Sequence, residues 1–220
     1  RWIGDWSFYG VNDETVPLAP QDAMQYGRAL ERYLRQIVIA DQEKHGPIYQ
    51  FKADLSDGYY RVGMNPRHVP SMGLVFPSFE DGTWLVAFQL VLGMGWRDSA
   101  PYFCAFTETV ADLANEALSP TSANHKWMST QHEMDERAAE VGDRLQPPRS
   151  KQDAVPTTDV VARDPGLRCA RPKPAAYYDV FVDYFIALAQ GSRLRLRKCR
   201  RVLFHALDLI FRPPNEHDSS

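Results

Sequence analysis

The chain lacks most of the features that announce a ready-made chemistry. Only three of its 220 residues are cysteine (Cys104, Cys169 and Cys199), an odd number scattered without metal-ligand spacing. That argues against a disulfide framework and fits a reducing, intracellular compartment, cytoplasm or nucleus. No apolar run approaches the roughly 20 residues of a membrane span, and the first residues do not form a signal peptide, so a soluble protein with no membrane partner is expected. Charge bias is also missing. Twenty-five basic against 28 acidic residues leave a net charge of −3 and an isoelectric point near 6.1, so any phosphate contact has to come from a local patch. His45, His68, His125, His132, His205 and His217 show no zinc spacing, and His132 to Glu136 misses HExxH at its last position. No GxSxG, P-loop or complete GxGxxG occurs, and there are no internal repeats.

What is present is enough for a core: 44% of the residues are hydrophobic, and one globular domain is the prior for this length. The start at Arg1, with no Met, leads to the expectation of a fragment or trimmed product. Residues 1–18 read as irregular structure with a short strand. From Gln21 to about Gln42, Tyr26, Ala29, Leu30, Tyr33, Leu34, Ile37 and Val38 follow the helical period, closed by Gly46 and Pro47. Gly73 to Leu92 is two apolar runs around Glu80, Asp81 and Gly82, a hairpin signal. The glycine-punctuated loop Gly93 to Ser99 leads into a helix over Ala100 to Leu118, with Phe103, Phe106, Val110, Leu113 and Ala117 on one face. Residues 119–175, about a quarter of the chain, hold seven of its sixteen prolines and few aromatics, which predicts a low-order insertion whose one helical stretch is His132 to Leu145. A last helix, Leu194 to Phe211, turns Leu196, Cys199, Leu203, Leu207 and Ile210 inward and stops at Pro213 and Pro214. Residues 213–220 are expected to form a disordered tail.

Two stretches carry carboxylates in apolar surroundings. In Tyr178 to Ala189, Asp183 lies between two aromatic and β-branched runs that read as strands joined by a tight turn. In Gln50 to Val62, Asp54 lies in a strand and Asp57 follows three residues later. An acid at the end of a buried strand needs a hydrogen bond or a cation to offset its desolvation. Two such strands suggest one shared site, whereas the plainer alternative is that each Asp caps a turn. A third stretch, Arg193 to Arg201, packs six cations into nine residues. They serve either as phosphate contacts or as the solvated face of the last helix.

Taken in order, the strand FKADLSDGYYRV, the hairpin, the loop and helix LGMGWRDSAPYFC and the hairpin FVDYF resemble the palm of reverse transcriptases encoded by retrotransposons. The resemblance spans most of residues 1–211 outside the insertion. It implies an α+β fold, a palm-like antiparallel sheet packed on helices, with partial fingers and no thumb. Residues 1–118 would be partial fingers and the first part of the palm, and 176–212 the second part. It implies RNA-directed DNA polymerase chemistry, an in-line displacement at phosphorus aided by two Mg²⁺ ions. Asp54 and Asp183 match the catalytic metal ligands. Asp57 lies where backbone amides meet the triphosphate, Tyr59 matches the aromatic that screens out a ribose 2′-hydroxyl, and Met94 lies against the incoming nucleotide and template. Arg1 matches a fingers arginine that pairs with triphosphate. The implied partners are an RNA or DNA template with primer, deoxynucleoside triphosphates, and remaining polyprotein domains such as a thumb and an RNase H domain. Three departures stand out: Met94 where many relatives carry Gln, Gly93 and Ala100 where Pro is common, and Tyr184 where a second Asp is expected. The last leaves only one ion's worth of carboxylates, and the rival expectation is an inactive retroelement remnant that at most binds nucleic acid.

Overall fold

The structure, a computed structural model, describes residues 4–8, 10–78, 80–118, 130–145 and 173–212. In chain order the elements are α1 (Val11–Glu14), α2 (Ala29–Val38), α3 (Gln42–His45), β1 (Ile48–Asp54), β2 (Gly73–Pro77), β3 (Trp84–Phe88), α4 (Ser99–Ala117), α5 (Thr130–Arg144), β4 (Ala176–Phe181), β5 (Tyr184–Gln190) and α6 (Arg193–Phe211). Helices and small antiparallel sheets are mixed, as an α+β chain requires. The chain divides into two compact units, one of Arg1–Met24 with Leu55–Ala105 and one of Gln25–Asp54 with Phe106–Ser220. No described helix is long and apolar enough to cross a membrane.

The second unit is built on a three-stranded antiparallel sheet in the order β1-β5-β4. Alternation along the strands separates two faces. On one, Leu188, Ile48, Tyr177 and Ile186 pack with Tyr33 and Ile37 of α2, and the Tyr33 hydroxyl donates to the Ala187 carbonyl at 3.1 Å. On the other, Tyr178 meets Phe51 edge to face and donates its hydroxyl to the Cys199 carbonyl of α6 at 2.6 Å. Strand β4 is one edge of the sheet, and its open backbone groups at Tyr178 are taken by Asn115 of α4, which accepts from the amide at 2.9 Å and donates to the carbonyl at 2.8 Å. An amide side chain thereby closes an edge that would otherwise invite another strand.

Ser192 starts α6 by accepting from the Arg195 amide, an N-cap bond. The helix buries Lys198, Cys199, Val202, Leu203, Ala206 and Phe211. Each fully buried Val or Leu stabilises by about 1.5–3 kcal/mol. Leu196, Leu207 and Ile210, expected inward, are only half-buried, because the buried stripe is rotated toward Val202 and Ala206. The α2 stripe is likewise narrower than its periodicity predicts. Ala29 and Tyr33 are buried but Leu30 and Leu34 lie open, and the turns at Gln21–Ala23 and Tyr26–Arg28 are 3₁₀ rather than α. Within the stretch expected to be low in order, α5 is docked on α6. Ala139 is fully buried, and Asp143 accepts from the Ser192 amide and from Arg195 Nε, both at 2.7 Å. Residues 119–129 and 146–172, and the tail 213–220, lie outside the described residues.

In the first unit the amino-terminal residues form α1 rather than the short strand expected there, and no strand precedes β1 among the described residues. Asn12 accepts from the Arg97 amide and donates to the Gly95 carbonyl, which ties this segment to the GMGWRDS loop. Gly95 has φ +95°, and a Cβ there would run into the Gly4 carbonyl. The hairpin β2–β3 pairs Gly73 with Phe88 through Pro77 with Trp84. Val75, Trp84, Leu85, Val86 and Phe88 are all exposed, so apolar side chains stand on both faces.

Candidate functional site

Register decides where the two aspartates go. Strands β1 and β5 pair Asp54 with Tyr184, and Asp183 is the residue before Tyr184, in the two-residue turn between β4 and β5. Both carboxylates therefore stand at the same end of the sheet, Asp54 exposed on a strand terminus and Asp183 half-buried in the turn. A paired residue shares its partner's face, so Tyr184, 45% exposed, lies beside Asp54 and opposite Phe181 of β4.

The turn itself is strained. Val182 has φ 59° while Asp183 does not enter the positive region, the pattern of a type II′ hairpin turn, in which glycine is the usual first central residue. A β-branched side chain at positive φ costs on the order of 1–3 kcal/mol, and such outliers cluster at functional sites. The Phe181 side of the turn is supported by Tyr26, whose ring meets Phe181 edge to face at 5.6 Å.

Two residues that the sequence did not single out bear on this end. Lys52 lies two positions before Asp54, hence on the same face of β1, and its ammonium sits 5.8 Å from the centroid of the Tyr184 ring. A fixed cation is thus close to the phenol that stands where a second carboxylate was expected. Period-2 alternation would have put Lys52 on the face of Asp54, but its meeting with Tyr184 needed the strand register. The other residue is Asp179, four positions before Asp183, 2% exposed and accepting from Arg32 of α2 through Nε at 2.8 Å and Nη2 at 2.5 Å. The Tyr177 hydroxyl and the Val180 amide complete four hydrogen bonds to this carboxylate. The hydrogen bond to Asp179 raises the Arg32 pKa, so its charge is permanent. Burial first, and Asp179 second, push the Tyr177 phenol up to about 12, which keeps it a donor. Glu108 of α4 is pushed up to about 7 by desolvation, a rise that Arg32 opposes and Asp179 and Asp112 reinforce. Asp112 is raised in the same way, chiefly by desolvation.

The remaining expected site residues lie in the first unit. Asp57 takes φ 55°, a left-handed position that Asp tolerates, at the start of the 3₁₀ turn Gly58–Arg61. Tyr59 stacks on Phe103 with centroids 4.6 Å apart, and Gly58 is needed because a Cβ there would come within 2.6 Å of Phe103 Cζ. Tyr59 is therefore a packed aromatic whatever else it does. Met94 is half-buried in the turn of the glycine loop. Arg1 lies outside the described residues.

The donor set fits one hard cation better than two. Asp54 and Asp183 offer carboxylate oxygens, and Mg²⁺ is commonly held by one or two carboxylates with water completing its shell. Among the described residues no three His, Cys, Asp or Glu side chains converge as a metal-holding group. Tyr184 contributes a neutral phenol, a poor Mg²⁺ ligand, and Lys52 contributes repulsion. No family model matches the chain, and no curated protein matches it.

Proposed function

We propose that this chain is the palm, with part of the fingers, of a retrotransposon reverse transcriptase whose metal site has been reduced to one pair of carboxylates. The observation that carries the reading is the register that sets Asp54 opposite Tyr184 and next to Asp183 at the tip of an antiparallel hairpin. That arrangement puts a strand-terminal acid and a hairpin-turn acid at one sheet end, as a metal-assisted phosphoryl transfer would use them. The strained Val182 turn adds weight, because backbone outliers of this kind cluster at functional sites.

In this reading Asp54 and Asp183 would hold one Mg²⁺ ion. When bound, it supplies charge stabilisation for the transferring phosphoryl group. Arg32, through Asp179, fixes the strand that leads to the hairpin tip. Tyr184 and Lys52 work against synthesis. One removes a negative charge and fills space near the primer terminus, and the other brings a cation to the place where a second divalent ion would need an anion. This favours the remnant form of the reading, with little or no synthesis by the chain as it stands.

The test is metal-dependent primer extension with the chain fused to the fingers and thumb of an active reverse transcriptase. Tyr184→Asp should raise extension at least about tenfold, the factor attached to 1.36 kcal/mol of barrier, and Asp183→Asn in that background should abolish it. Robust synthesis by the unmodified chain, or no response to Asp183→Asn in an active fusion, would sink the proposal.

A further inference from the structure

A cleft of about 300 Å³ lies along α6, lined among the described residues by Arg193, Leu196, Arg197, Arg200, Arg201 and Phe204. These positions follow i, i+3, i+4, i+7, i+8 and i+11, one stripe of a helix. It lies opposite the buried stripe of Cys199, Val202, Leu203 and Ala206, which packs into the second unit. Arg201 is held by Asp135 of α5 at 2.5 Å. Arg193, Arg197 and Arg200 are exposed and have no carboxylate partner among the described residues. Phe204 is 48% exposed between them and the end of the helix.

Three observations separate this stripe from an ordinary solvated face. Such faces mix the two signs, yet here a chain of net charge −3 places four arginines along one cleft and, among the described residues, answers just Arg201 with an acid, Asp135. Arg193 also sits in the first turn of the helix, where the positive end of the helix dipole disfavours it, and the acid at that end, Asp143 of α5, is taken by the Ser192 amide and Arg195. Finally, every cation of the cleft is arginine, whose planar fork matches phosphate oxygens and stacks on rings, and an exposed aromatic shares the stripe.

We infer that this stripe is a binding surface for single-stranded nucleic acid, with Arg193, Arg197 and Arg200 on successive phosphates and Phe204 stacked on a base. Aromatic stacking beside a cationic track is how single strands are held without reading their sequence. An anionic membrane suits the stripe less well, because the apolar face such binding inserts is here buried against the sheet. The surface lies on α6, so it goes beyond the polymerase reading and does not depend on the metal site.

The test is fluorescence anisotropy of the full chain with a labelled oligothymidylate, longer than the roughly 4–16 nucleotides a single-strand site covers. EDTA is included so that a metal-dependent site cannot contribute. The logarithm of affinity should fall with the logarithm of salt concentration at a slope of about −2, from roughly 0.7 per neutralised phosphate for three arginines. Arg193→Gln/Arg197→Gln/Arg200→Gln should flatten the slope and weaken binding at least about tenfold at low salt. Arg28→Gln/Arg35→Gln/Arg67→Gln, the same loss of charge elsewhere, should weaken it far less. Phe204→Leu should weaken it about tenfold with the slope unchanged. All these sites are exposed, and matching thermal melts confirm folding. Equal losses in the two triple variants, an unchanged slope in the first, or displacement of the oligonucleotide by polyglutamate or phosphatidylserine vesicles at equal charge would overturn the inference.

Discussion

Replacing Arg32 by Met should be among the most damaging single changes outside the apolar core. The Asp179 carboxylate is 2% exposed and accepts four hydrogen bonds, two of them from Arg32 at 2.8 and 2.5 Å. Methionine keeps much of the stem's packing but leaves a buried negative charge with only the Tyr177 hydroxyl and the Val180 amide as donors. Breaking a buried ion pair in this way costs about 3–5 kcal/mol. Because the Arg32 side chain is 29% exposed, water can reach part of the vacated space, which puts the expected loss near 3 kcal/mol. That is a large share of the roughly 5–15 kcal/mol by which domains are stable. Asp179→Asn should be milder, about 1–2 kcal/mol, because the amide keeps two of the four contacts and the freed guanidinium can be hydrated. The double variant should lose less than the sum, with a coupling of about 1–2 kcal/mol. Equilibrium urea unfolding followed by circular dichroism reads all three. A loss below about 0.5 kcal/mol for Arg32→Met, or strict additivity in the double variant, would show that the pair does not hold α2 to β4.

Glu108 gives a pH signature. Its pKa is raised from 4.5 to about 7 by desolvation, so the folded chain binds a proton that the unfolded chain releases earlier, and stability should fall as pH rises between those values. With the shift discounted for the group's partial exposure, Glu108→Gln should gain about 1 kcal/mol near pH 8 and nothing near pH 4. Thermal melts across that range check it, and a gain of equal size at both ends would refute the cause given. Val182→Gly should stabilise by about 1 kcal/mol by relieving the positive φ. Unfolding curves showing a loss instead would mean the turn is not strained.

Local pattern made much of this legible. The apolar run around Asp54 and the aromatic and β-branched runs around Asp183 marked the strands, and the stop at Pro213 and Pro214 marked the end of α6. Periodicity says which face of a helix turns inward but not how much of it is covered, which is why Leu30 and Leu34 lie open on a helix that reads as amphipathic. The docking of α5 was hidden for a similar reason: its hold on α6 is polar, through Asp143 with Arg195 and Asp135 with Arg201, and leaves no apolar stripe to read. The site was half legible. Asp54 and Asp183 stood out as acids in apolar runs, but the contacts of Lys52 with Tyr184 and of Arg32 with Asp179 join residues far apart in the chain, and no spacing rule reaches across such gaps.

The most direct test of the reduced metal site is Mg²⁺ binding followed by titration calorimetry on the chain and three variants. The unmodified chain should bind one ion weakly, and Asp183→Asn should bind none. Tyr184→Asp should tighten binding at least about tenfold, since an added carboxylate contributes more than the 1.4 kcal/mol that factor requires when it lies about 4 Å from a cation, even at an effective dielectric near 20. Lys52→Met should tighten it in the same direction by removing the ammonium beside Tyr184. Undiminished binding by Asp183→Asn, or no change in Tyr184→Asp, would contradict the claim that Asp54 and Asp183 form what is left of a two-metal centre.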